Sequence, residues 1–177
     1  MGRRDLLLGA LVATMGVFLA APPALAEDYR ELDWNDLLPP GELENLAKQK
    51  VLAFRRAAPH GSLDDTGPMN AIQPGTFKTV EALDGQKVIL KGFVVPLDFT
   101  AGKATTFLLV PYYGACIHAP PPPPNQTILV RSQHPVAMAN LSSAMEAKGV
   151  LVVSTNTSEM GDSAYLLKLD SLGKVGS

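Results

Sequence analysis

The chain is poor in the residues that carry most enzyme and metal chemistry. It has one cysteine, three histidines and one tryptophan in 177 residues. A single cysteine excludes an internal disulfide and any Cys-x-x-Cys redox centre. Outside Arg55-Arg56 and the basic pair Arg3-Arg4, no cluster of Lys or Arg occurs, and the formal net charge is -2. Nucleic acid is therefore not an expected partner, because binding a phosphate backbone needs several convergent cations. No phosphate-binding glycine loop, His-Glu-x-x-His helix, Ser-centred nucleophile elbow or convincing acid pair is present.

The first residues read as a targeting segment. Arg3 and Arg4 form a basic start, Leu6–Ala21 is almost continuously apolar, and Ala24-Leu25-Ala26 offers a small-x-small cleavage signal. Residues 1–26 are expected to be a cleavable signal peptide, with Glu27 first in the mature chain. The run is short for a membrane span, which needs about 20 apolar residues, so no stable membrane insertion is expected after cleavage. Arg3-Arg4-Asp5-Leu6-Leu7 also fits a twin-arginine signal, and the general secretory route stays open. Either route leads out of the cytoplasm, and the periplasm is the expected location.

Residues 27–75 read as an N-terminal arm, a short helix and a loop. In the arm, the apolar residues of Leu32–Pro39 are spaced to pack against a domain, with Trp34 as the anchor. Gly41–Phe54 has apolar residues at three- and four-residue steps, and Glu42 and Glu44 near its start suit a helix dipole. Pro59–Gly75 is rich in Gly, Pro and Asp, and holds His60, Asp64, Asp65 and Met69.

Residues 76–177 carry the expected barrel. Lys87–Leu97 alternates in hydrophobicity, and Gly92 within it would allow a bend or bulge. Thr105–Pro111, Gln126–Arg131, Gly149–Thr155 and Ser163–Leu169 are four further strand candidates. His134–Lys148 reads as a second helix, with Val136, Leu141, Ala144 and Met145 for packing. The pattern predicts a mainly β fold: a small OB-like five-stranded barrel with an N-terminal arm and two short helices. Closure would also remove the exposed strand edges.

The most distinctive stretch is Phe107–Val130. It places Cys116 two residues from His118, followed at once by five prolines, Pro120–Pro124. In an extended segment residues two apart share a side, so a thiolate and an imidazole would converge. Zinc accepts both ligands, as does copper. Two donors do not complete a site. His60 and His134 are the first candidates for the remainder, with Asp64, Asp65, Glu159 and Met160 behind them. A nucleophile–base pair is a further possibility, but no acidic residue is placed to orient the imidazole. A buried thiol serving only as a small hydrophobe also stays open.

Five prolines favour a stiff polyproline II rod, roughly 15 Å long. The rod would lock the Cys116 segment or dock on a partner. Tyr112 and Tyr113 could line a pocket, and Asn125 and Gln126 could support the loop. Asp98 reads as a turn residue rather than an acid catalyst.

These residues also carry a resemblance. Leu32-Asp33-Trp34-Asn35-Asp36-Leu37-Leu38-Pro39, Gly85-Gln86-Lys87-Val88, Gly92–Asp98 and Phe107–Gln126 together resemble the bacterial exported proteins of the DUF3299 family, a domain of unknown function. The resemblance implies an exported protein, often encoded near ABC-type transport components in metal-linked gene groups. It implies no reaction. The expected function is a periplasmic metal-binding accessory protein with Cys116 and His118 as ligands, zinc ahead of copper, and an envelope transporter component as partner. The alternatives are a non-catalytic interaction module of an envelope transport assembly and, third, a cysteine-dependent enzyme.

Overall fold

A computed structural model describes residues 28–48, 73–115, 121–138 and 140–176. Six strands form one sheet: β1 (Arg30–Leu32), β2 (Lys87–Pro96), β3 (Lys103–Val110), β4 (Ile128–Ala137), β5 (Met145–Asn156) and β6 (Ser163–Lys174). The order is β1-β2-β3-β4-β6-β5, and β2 also pairs with β5. That last pairing closes β2 to β6 into a five-stranded barrel, with β1 as an extra strand. All pairings are antiparallel except β1–β2 and β4–β6, which are parallel.

Alternation explains the two sides of the barrel wall. Val88, Leu90 and Val94 of β2, Phe107 and Leu109 of β3, Ile128 and Val130 of β4, and Tyr165 and Leu167 of β6 point into the main core. The opposite phase is also apolar in part. Val95, Leu108, Val110 and Leu129 form a second buried layer with Ala115, against which Phe93, Leu97, Met160 and Leu166 pack. A strand covered on both faces loses strict alternation, and Phe107–Val110 is apolar and buried at all four positions.

The arm docks as its sequence suggests, but through more than side chains. Leu32 ends β1, which adds to β2 in parallel with Arg30 opposite Val88. A 3-10 turn, Trp34–Leu37, follows. Asp33 caps it, and the Asp33 amide donates back to the Asp36 carboxylate at 2.8 Å. Trp34 donates its indole N–H to the Lys91 carbonyl at 2.8 Å. Leu37 is fully buried. The expected arm is thus partly a strand.

Of the two expected helices, one is present in the described residues. Residues 42–48 are helical, and the rest of the expected segment to Phe54 lies outside the described residues. The helix expected over His134–Lys148 is not formed. β4 runs on to Ala137, a turn follows, and β5 starts at Met145. The Asn140 side chain accepts from the Ser142 amide at 3.2 Å and donates to the Ser143 hydroxyl, which shapes the turn. Val136 and Ala137 pair with β3, and Met145–Lys148 pair with both β2 and β6. Apolar spacing gave a local helix signal, and long-range ladders on both sides overrode it. Pro135 fits in β4 because it lies in an irregular stretch, where four residues, Ser132–Pro135, face Thr105 alone. Short 3-10 turns at Glu81–Leu83 and Pro124–Gln126 complete the regular elements. Among the described residues, no helix is long and apolar enough to cross a membrane.

Candidate functional site

β3 delivers the distinctive stretch to the outer layer of the barrel. After Val110 the chain turns through Gly114, whose φ of 81° is in the left-handed region that glycine tolerates. Ala115, at the end of this turn, has no exposure and sits in the outer apolar layer. Tyr112 and Tyr113 stand exposed on the turn, at 42% and 59%. The Tyr113 ring meets Phe93 edge-on, with centroids 6.0 Å apart.

From Pro121 the chain rests on a densely held support. Pro122, Pro123 and Pro124 are buried. The Gln73 side-chain amide donates to the Pro122 carbonyl and to the Asp162 carbonyl, and its own oxygen accepts from the Asp162 amide at 2.7 Å. One glutamine therefore ties the proline segment to the β5–β6 loop. The Thr127 hydroxyl donates toward the Pro122 and Pro123 carbonyls at 3.3 and 3.1 Å. A Cβ on Gly75 would lie 2.5 Å from the Pro123 Cβ, and one on Gly161 would lie 3.2 Å from the Pro121 Cβ. Two backbone segments thus approach the prolines closely, and the Gly75 contact leaves no room for a Cβ.

Asn125 and Gln126 each donate to the carbonyl of a neighbouring segment. Asn125 is fully buried and donates to the Lys78 carbonyl at 3.1 Å. Its side-chain oxygen is buried without a hydrogen-bond partner. Gln126 donates to the Trp34 carbonyl at 2.7 Å, linking the site to the docked arm.

A buried carboxylate lies in the same network. Glu42, 1% exposed, accepts a hydrogen bond from the Thr76 hydroxyl. Asn45 donates to it at 3.5 Å and the Lys78 ammonium stands 3.7 Å away. The Thr76 hydrogen bond, aided by Asn45 and Lys78, holds its carboxyl below the ordinary range despite the opposing effect of burial. Asp98 is likewise structural. Burial pushes its carboxyl up, but hydrogen bonds from Thr105 and Thr106 outweigh that and lower it. The Thr105 and Thr106 amides donate to it at 2.9 and 2.8 Å, closing the β2–β3 connection.

Cys116, His118 and His60, with Asp64 and Asp65, lie outside the described residues. The other candidate donors are separated by the fold. His134 is exposed in the irregular part of β4, where the Ser132 hydroxyl donates to its carbonyl at 2.7 Å. Six residue steps along the strand from Ile128 to His134 span about 20 Å, so His134 stands at the far end of the β3–β4 ladder from the Tyr112–Ala115 turn. Glu159 is exposed. Met160, by contrast, packs on the same outer layer as Ala115. No group of three or more His, Cys, Asp or Glu that could hold an ion occurs among the described residues.

Sequence reasoning overlooked Tyr165. Its ring is fully buried, and its hydroxyl donates to the Leu37 carbonyl and accepts from the Val80 amide, both at 2.8 Å. Burial pushes the phenol up. It joins β6, the arm and the segment entering the barrel. The only signal was its place on the inward phase of β6.

Comparison with known proteins follows the same segments. The profile of a family described as "Protein of unknown function (DUF3299)" matches residues 34–174. The crystal structure of a DUF3299 family protein from Pseudomonas aeruginosa PAO1 is 30% identical, with a TM-score of 0.65 over 85% of this chain and 98% of that one. No functionally curated protein shows significant similarity.

Proposed function

The chain belongs to the DUF3299 family, and we propose that it is an exported metal-binding accessory protein whose donors are Cys116 and His118. The observation that carries the reading is how their segment is anchored. Ala115 is sunk in the outer apolar layer, and Pro121–Pro124 are held by Gln73, Thr127 and two close glycine contacts. Fixing both ends of a five-residue segment lowers the ordering cost of bringing donors together. A thiolate with an imidazole suits zinc or copper.

Met160 bears on the choice of metal. Its thioether is a soft donor on the layer that Ala115 occupies, and thioethers favour copper(I) over zinc. His134 is not part of the proposed set, given its place at the other end of the ladder. We propose the periplasm as the site of action, with an envelope transport component as the recipient or source of the ion.

The test is elemental mass spectrometry on protein purified through its own export route, beside C116A, H118A and M160L. Stoichiometric metal lost in C116A and H118A supports the reading. Loss in M160L as well points to copper, and retention points to zinc. No metal after gentle purification, with zinc and copper(I) titrations silent, overturns it.

The second reading is a non-catalytic interaction module. It is favoured by the exposed Tyr112 and Tyr113, presented on a turn braced by Phe93 and Ala115. Tyrosine offers large contact area at low entropy cost. A photo-crosslinker at Tyr113 that captures one defined envelope protein, against none from a crosslinker at Val175, would support this reading.

A further inference from the structure

The tip of the β5–β6 hairpin is tied to the barrel through one side chain. β5 and β6 stay in register from Gly149 opposite Leu169 to Val153 opposite Tyr165. Register is then lost, because Ser154 and Thr155 face Ala164 alone before Asn156 pairs with Ser163. The Asn156 side-chain amide braces this break, donating to the Ser154 carbonyl at 2.7 Å and toward the Ser163 hydroxyl at 3.4 Å. A bulge bends its strand and interrupts the ladder. Residues 157–162 therefore extend from a weakened joint.

Within the tip the chain closes on itself. The Ser158 hydroxyl donates to the Gly161 carbonyl at 2.6 Å, and the Gly161 amide donates to the Ser158 carbonyl at 3.2 Å. These bonds keep the shape of the tip but tie it to nothing else. Among the described residues, the hydrogen bonds from residues 157–162 to the chain outside the hairpin all run through Gln73.

Gln73 holds like a latch. Its amide nitrogen donates to the Asp162 carbonyl at 2.9 Å, and its oxygen accepts from the Asp162 amide at 2.7 Å. The same nitrogen reaches the Pro122 carbonyl. One rotation of one neutral side chain breaks all three. Little is stranded by that rotation. The Pro122 carbonyl keeps the Thr127 hydroxyl at 3.3 Å. Asp162 is only partly buried, so water can replace Gln73 there.

The rest of the hold is apolar. Met160 packs on the outer layer that contains Leu108, Val110, Ala115 and Leu129. It is partly buried and unbranched, and such a side chain leaves and re-enters a packing site without forcing its neighbours to move. Gly161 lies against Pro121 without a bond.

We propose that residues 157–162 form a flap, hinged at the Ser154–Thr155 bulge and latched by Gln73, whose opening bares the outer apolar layer beside Ala115. The proline segment is the fixed side of the latch, because Thr127 and the close approach of Gly75 hold it independently. Hinged flaps of this kind open by local release while the rest of the fold stays closed. The flap holds whether or not Cys116 and His118 bind an ion.

Amide exchange followed by NMR on the full mature chain compares the parent with Q73A. Exchange at Ser154–Asn156 and Ser163–Ala164 should quicken at least about tenfold. Rates at Phe93–Val95 and Phe107–Val110 should not change. Asp162 is not scored, because it loses a direct bond. Hydrogen peroxide should also convert Met160 to its sulfoxide faster in Q73A, with Met138 and Met145 unaffected. If Q73A folds poorly, the parent decides alone: in urea well below the unfolding midpoint, Met160 should become more reactive before Met138 does. Quickened exchange confined to Asp162, an equal rise across β2 and β3, or Met160 and Met138 responding together at every urea concentration would overturn the proposal.

Discussion

Replacing Gly92 by alanine should unseat the only tryptophan. A Cβ at this position would lie 2.8 Å from Trp34 Cζ2, 2.8 Å from the Val110 carbonyl oxygen and 3.1 Å from Leu109 Cγ. The carbonyl belongs to a ladder residue, paired with Phe93, and cannot easily yield. The indole can, but only by giving up its 2.8 Å hydrogen bond to the Lys91 carbonyl. Overpacking of this kind costs about 1–3 kcal/mol, and the lost hydrogen bond about 1 kcal/mol more. Alanine recovers roughly 0.5–1 kcal/mol of the strand penalty of glycine. The net expectation for G92A is about 2–3 kcal/mol of destabilisation. For a chain of this size that lowers Tm by roughly 5–10 °C. Because Trp34 is the sole tryptophan, its emission reports the site directly and should shift to the red in G92A. A circular-dichroism melt of G92A in a W34A background should show a smaller loss than in the parent, by about 1 kcal/mol of coupling. An unchanged Tm with an unchanged emission maximum would refute the reasoning. So would full additivity of the two changes.

Three other outcomes follow from the network around the site. Y165F should cost about 1–3 kcal/mol, because it strips a partner from the Leu37 carbonyl and the Val80 amide in a buried setting; chemical denaturation would read this as a lower midpoint at unchanged slope. The Glu42 carboxyl sits below its ordinary value of 4.5, so its contribution is complete above that pH and fades as pH falls through the lower folded value. Thermal melts from pH 7 to pH 3 should therefore fall less steeply for E42Q than for the parent, with E42Q already less stable at pH 7; parallel curves would count against the carboxylate's role. G75A should destabilise by about 2–4 kcal/mol, combining a φ of 105° with the 2.5 Å approach to Pro123. A melt that stays within 1 °C of the parent, a shift of well under about 1 kcal/mol, would show the proline segment to be loosely held.

Much of the wall was legible from short-range pattern. Alternation at Lys87–Leu97 located β2, and the four other strand candidates each overlap an observed strand. Trp34 is an anchor and Asp98 a turn residue, as their neighbours imply. The second helix was misread because Val136, Leu141, Ala144 and Met145 satisfy a helical spacing by chance. Nothing local reveals that Val136 faces Ala104, or that Met145 faces both Gly92 and Lys174. For the site, the sequence singled out the Cys116–His118 stretch and its prolines. It did not reveal that Gln73 would hold the prolines, that Met160 would share a layer with Ala115, or that His134 would lie at the other end of the ladder.

The sequence by itself determined the central parts of β2 to β6 and which stretch carries the unusual residues. These depend on period-two patterning and on residue identity, both of which are local. Tertiary structure alone decided the closure of β2 onto β5, the entry of β1 as an added strand, the reason for Gly92 and Gly75, and the hold of Gln73 on the β5–β6 tip. Each of these is set by a contact between residues far apart in the chain, where the approach of one backbone to another, rather than the preference of either segment, selects what fits.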